Sequence, residues 1–121
     1  MKENVISTKS FAFAIKIVKL YKHITEYKKE YVLSKQILKS GTSIGANVWE
    51  GINAQSRADF IHKFHIAQKE SSETLYWLEL LNETNYIDDE TFEKLYPKAI
   101  EVYKIISSIV KSTKEKPWII L

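Results

Sequence analysis

Asn47 and Glu50 stand one helical turn apart, and so do Glu70 and Glu73. On two facing helices, these residues would bring three carboxylates and an amide to one seam. Paired carboxylates in a cleft do general acid–base work when their surroundings push their pKa values apart. The simpler reading, adopted here, is a hydrogen-bonded network in which Asn47, Ser71 and one glutamate fix the pairing of the two helices. His62 and His65, with Asp59 one turn before His62, form a second constellation. A di-iron bundle needs Glu-x-x-His motifs on separate helices, and a single Asp-x-x-His does not supply them. Ser40-Gly-Thr-Ser-Ile-Gly45 has the glycine content of a phosphate cradle. No strand precedes it and no Gly-Lys-Ser/Thr follows, so nucleotide binding is not assigned. His23 is isolated, and nothing marks any serine as an activated nucleophile. The expectation is a protein without catalytic residues, metal or cofactor, and not an enzyme.

The elements that carry these residues are helices. All three glycines, Gly41, Gly45 and Gly51, fall between Ser40 and Gly51. Leu33, Ile37, Gly41, Ile44, Val48 and Ile52 recur there at steps of three and four. That period is helical, although each interior glycine costs roughly 1 kcal/mol against alanine. Gly41 and Gly45 form a small-xxx-small pair that lets another backbone come close. The next helix begins at Ser56, where Ser56-Arg-Ala-Asp59 resembles a capping box. Its stripe is Phe60, Phe64, Ala67, Ser71, Thr74, Leu78 and Leu81. The small, polar middle of that stripe is expected to face helix 2, with Gly45 at the contact. Trp49 points away from the main stripe and suggests a subunit contact.

The outer helices read less uniformly. Ser7 or Ser10 can cap the first, whose seam is Phe13, Ile17, Leu20, Ile24, Tyr27 and Tyr31. A second apolar patch, Phe11, Ala14, Ile15 and Val18, lies beside that seam, and Lys9, Lys16, Lys19 and Lys22 take the remaining face. The turn near residues 28–32 is short, so helix 2 returns antiparallel, starting at Ser34 or nearer Tyr31. Lys35 and Lys39 lie one turn apart at its start. Asn85 stops helix 3, and Asp88 caps helix 4 inside an Ile87–Phe92 staple. The helix 4 stripe is Phe92, Leu95, Ala99, Val102, Ile106 and Ile109, with Pro97 expected to kink it or delay its start. An apolar tail containing Trp118 follows. The prediction is an all-α, antiparallel up-down-up-down four-helix bundle with helices near 8–29, 32–54, 56–84 and 89–113. It forms a single domain over 1–121, with 1–7 and 114–121 as tails.

Composition bounds the function. A chain of 121 residues with 45% hydrophobic and 27% charged content is an ordinary globular domain. No apolar run approaches the ~20 residues of a membrane span. The first ten residues lack an apolar signal core, and cysteine is absent, which suits a cytoplasmic protein. Residues 1–39 hold nine lysines against Glu3, Glu26 and Glu30, whereas the rest of the chain has three more acids than bases. A basic first third on a chain of net charge +3 permits a polyanionic partner.

The segment Tyr31–Leu81 resembles the bacterial four-helix bundle proteins also called 23S rRNA intervening-sequence proteins. The resemblance is carried by Ser43, Ile44, Asn47, Glu50 and Gly51 in helix 2, and by Ala67, Glu70, Ser71, Glu73 and Thr74 in helix 3. These are similar in turn to the accessory variability determinant of diversity-generating retroelements. The resemblance implies a bundle that assembles as a homopentamer and, in the retroelement relative, binds a reverse transcriptase and nucleic acid. The oligomer contact is expected at Phe11, Ile15, Val18, Trp49 and Trp118, since that much apolar surface exceeds what a small monomer exposes. Lys9, Lys16, Lys19, Lys22, Lys35 and Lys39 are expected to form a basic band that holds RNA or DNA. The reading is a non-enzymatic oligomeric adaptor on nucleic acid, with a reverse-transcriptase-like partner. The alternative is a protein-interaction scaffold that never touches nucleic acid.

Overall fold

The computed structural model describes residues 2–115. It contains four helices: α1 over Lys2–His23, α2 over Leu33–Ile52, α3 over Arg57–Glu83 and α4 over Asp89–Glu115. Each packs on its neighbours in the chain, and α4 closes the bundle against α1. The arrangement is the all-α up-down-up-down bundle that the periodicity predicts. Its core is built from Phe13, Ile17, Ile37, Ile44, Val48, Phe64, Leu78, Leu81, Val102 and Ile106 among others. Trp118 and the rest of residues 116–121 lie outside the described residues.

Three local features differ from the sequence expectation. First, residues 2–7 are not a tail. Ile6 is fully buried and extends the α1 stripe upstream of Phe13, so the helix is held from Lys2 onward. Ser7 and Ser10 therefore sit inside the helix and cap nothing; the Ser10 hydroxyl donates to the Ser7 carbonyl. Second, Tyr27 and Tyr31 leave the seam. A π-helical turn, Ile24–Lys28, follows α1 and ends at Lys29 in the left-handed region (φ 55°). The widened turn shifts the side-chain period, so Ile24 stays buried while Tyr27 and Tyr31 face outward. Third, Pro97 does not delay the start of α4, which begins at Asp89. Its ring is on the exposed side, where the carbonyl it leaves unpaired can face water.

The helix ends follow from side-chain chemistry. Glu30, not Ser34, starts α2. Its carboxylate accepts from the backbone N–H groups of Val32, Leu33 and Ser34 at 3.0, 2.9 and 2.7 Å. Burial alone would raise this carboxyl, but the three N–H donors and the Ser34 hydroxyl outweigh it and hold it below its usual value. Ser56 caps α3 by accepting from the Asp59 N–H (3.1 Å). Asn85 takes a left-handed conformation (φ 66°) just past α3, where such residues end helices. Asp88 caps α4 by accepting from the Thr91 N–H (2.8 Å).

Candidate nucleic-acid interface

The α2–α3 seam is closely packed at Gly51, Ser40 and Thr74. A Cβ at Gly51 would lie 2.8 Å from Cδ1 and Cε1 of Phe64, so only glycine fits against that ring without a shift. Below it, Thr74 Oγ1 donates to Ser40 Oγ (3.0 Å), and both side chains are buried. The small, polar middle of α3 does face α2. Gly41 and Gly45 do not. A Cβ at Gly41 would meet Ile17 at 2.8 Å, and one at Gly45 would lie 3.3 Å from the Ser10 carbonyl oxygen. The small-xxx-small pair thus serves the approach of α1, because residues 41 and 45 are turned from the α3 side toward the opposite flank of α2.

The Asn47–Ser71–glutamate network does not form. Asn47 donates to the Ser43 carbonyl of its own helix (2.8 Å), and Ser71 Oγ is buried with no hydrogen-bond partner. Ser43 spends its hydroxyl on the Lys39 carbonyl (2.6 Å), while Ile44 is core. Glu50 pairs with Lys63 across the seam at 3.0 Å, and Glu73 accepts from the Trp77 indole N–H at 3.1 Å. Burial pushes the Glu70 carboxyl up, and the charge of Glu73 adds to it. The carboxylates therefore divide between two places and share no cleft. His62 is exposed and His65 half-buried; among the described residues, no group of three His, Asp or Glu side chains is placed to hold a metal ion. Ser40–Gly45 lies within α2, so its N–H groups sit in the interior of a helix rather than in a cradle.

Within one chain the lysines lie at several places on α1 and α2. Lys9 reaches Glu101 of α4 at 3.1 Å and is offset by it. Lys22 and Lys19 border the outward face of α1 with Phe11, Ala14, Ile15 and Val18. Lys35 and Lys39 are on the exposed side of α2, where the Lys39 charge acts on Glu70. Of the six, Lys16 and Lys19 converge, and they do so with two lysines the sequence did not single out, Lys94 and Lys98. They line a groove of ≈ 510 Å³ between α1 and α4, together with Leu20, His23, Thr91, Lys94, Leu95 and Lys98. Among the described residues, one of its four lysines is paired, Lys94 with Glu90 at 3.2 Å. The floor is apolar, formed by Leu20 and Leu95, and the rim is cationic. Such a groove suits a chain of phosphates, which needs positive charge at repeated spacing and no base-specific contact. The next groove around the bundle, between α3 and α4, has the opposite character. Glu79, Glu83, Tyr76 and Tyr96 line it. Tyr96 donates to Glu79 at 2.7 Å, which pushes its phenol up to about 12.

Lys94 and Lys98 were missed because Glu90, Glu93 and Glu101 surround them in the sequence and cancel their charge in any segment count. The available signal was their i, i+4 spacing on one side of helix 4.

Phe11, Ile15, Val18 and Trp49 are all exposed, Phe11 and Trp49 by about two-thirds (66% and 65%). Gly45 packs against Ser10, so α1 and α2 come close one turn before Trp49. No helix among the described residues is long and apolar enough to cross a membrane.

The sequence matches no curated protein. Among solved structures, the chain is similar to a protein of unknown function from the S23 ribosomal protein family of Bacteroides thetaiotaomicron VPI-5482. The two are 55% identical with a TM-score of 0.89, over 92% of this chain and 99% of the other. A family model described as 23S rRNA-intervening sequence protein matches residues 2–108, nearly the whole bundle. The chain belongs to the 23S rRNA-intervening sequence protein family.

Proposed function

We propose that this protein is a non-enzymatic oligomeric adaptor that binds RNA or DNA along the α1–α4 groove. The observation that carries the reading is the convergence of Lys16, Lys19, Lys94 and Lys98 from two helices on one groove. What supports the non-enzymatic part is the scatter of Glu50, Glu70, Glu73, His62 and His65 over separate environments. The exposed Phe11, Ile15, Val18 and Trp49 support self-association, and the resemblance implies a homopentamer. A cyclic assembly repeats the groove in every subunit, and repeated weak phosphate contacts add up through effective concentration. A reverse-transcriptase-like protein is the partner class carried over from the resemblance, with no residue of this chain assigned to it. The second reading is a protein-interaction scaffold, favoured by the same exposed apolar side if that side meets other proteins.

The test is retention of labelled RNA and DNA by the purified protein and by its Lys16→Glu/Lys98→Glu variant, with light scattering on both. The expected result is a mass of five chains for both proteins and binding by the unmutated one only. Equal binding by the variant, or no binding by either at low salt, gives the scaffold reading its place. A mass of one chain refutes the assembly.

A further inference from the structure

The π-helical turn does more than end α1. Tyr27 falls on the sequence seam of buried residues, yet the turn carries it outward until 72% of it is exposed, more than any other aromatic side chain among the described residues. Its ring lies 5.1 Å from that of His23, tilted by 38°. His23 is itself one wall of the lysine groove. An aromatic pair therefore stands at the end of a cationic channel, followed at once by the exposed Lys28 and Lys29. Asp88, the acid whose carboxyl feels the charges of His23 and Lys28, is occupied in capping α4 through Thr91. Core packing accounts for Ile24 in this turn but leaves the position of Tyr27 unexplained.

We infer that the groove takes single-stranded nucleic acid, its phosphates lying along Lys16, Lys19, Lys94 and Lys98 and a base stacking on Tyr27. The inference rests on the nucleic-acid reading above and names the form of polymer that the groove selects. A cationic track with an exposed ring is how sequence-tolerant single-strand sites are built, since every base has a face to stack. The bases of a duplex are already stacked on one another and cannot reach the ring. Single strands should thus gain from Tyr27, and duplexes should gain only from the lysines.

The experiment measures fluorescence anisotropy of a labelled single-stranded oligonucleotide and of the matching duplex with the purified protein. Tyr27→Ala should weaken single-strand binding roughly tenfold while leaving duplex binding unchanged. Tyr27→Leu should behave like alanine, and Tyr27→Phe should bind as the unmutated protein does, since stacking uses the ring and not the hydroxyl. Tyr76→Ala, at an exposed tyrosine in the acidic α3–α4 groove, should change nothing. If Tyr27→Ala and Tyr27→Leu bind single strands normally while Lys16→Glu/Lys98→Glu does not, the stacking inference is wrong and the groove reading survives. Equal losses from Tyr27→Ala and Tyr76→Ala also overturn it. If the unmutated protein binds neither polymer, both readings fall together.

Discussion

At the α2–α3 seam the helices touch through Gly51, Ser40 and Thr74, and a single added Cβ at Gly51 meets a phenyl ring. At the α1–α4 seam they pack less closely around Leu20 and Leu95 and leave a groove with lysines at its rim. Both seams belong to one bundle, so the contrast comes from side-chain size and charge. Small residues let backbones approach and convert the seam into core. Long cationic residues hold their charged ends in water and cover an apolar floor with their stems. The first kind of seam fixes the fold, and the second leaves a surface on which a polyanion can lie.

The largest test of the contrast is Gly51→Leu. Overpacking against Phe64 should lower stability by about 1–3 kcal/mol, read as a fall in melting temperature. A variant as stable as the parent would mean that the α2–α3 seam has slack and is no different in kind from its neighbour. The sequence expectation placed this cost at Gly45 between α2 and α3; Gly45 instead faces the Ser10 backbone, so Gly45→Leu should push α1 rather than α3.

A middle-sized effect is expected at Glu30, which sets where α2 begins and hence the register of its glycines. Glu30→Ala should cost about 1 kcal/mol, the usual effect of losing an N-terminal cap. The sign of its pH dependence follows from the depressed pKa. The stabilisation is complete above the ordinary carboxylate value of 4.5 and is lost as pH falls through the lower folded value. Parent and variant melting curves should therefore converge in acid; a gap that persists well below that range would show that Glu30 acts through packing and not as an anionic cap.

The smallest stability effect belongs to the open seam. Lys98→Gln at the groove rim should leave melting within about 0.5 kcal/mol of the parent. A larger loss would make Lys98 structural and turn the groove into another packed contact.

The two seams also differ in how far the sequence reveals them. The α2–α3 contact was visible because its small residues recur at helical spacing within two adjacent segments. Even there the partners were misassigned. Gly41 and Gly45 flank α1, and Asn47 bonds within its own helix, because spacing gives a face of a helix but not which neighbour meets it. The α1–α4 groove was half visible. Lys16 and Lys19 stood out in a basic first third, but Lys94 and Lys98 enter from a segment rich in glutamate. Lys9, two helical turns before Lys16, also turns toward α4, where Glu101 offsets its charge. Tyr27 was read as core because a π-helical turn breaks the period on which the reading depends. Ile6 was overlooked because the polar residues around it hide the upstream end of the stripe.

The central claim is that the α1–α4 groove binds phosphates, and the dependence of binding on salt tests it most directly. Affinity for a single-stranded oligonucleotide should fall linearly on a log–log plot against salt, with a slope of about −0.7 for each phosphate neutralised. Changing Lys16, Lys19, Lys94 and Lys98 to glutamine together should flatten that slope by about 3 for each groove engaged. A parent protein whose weak binding ignores salt, or a fourfold variant that keeps the parent slope, would contradict the account.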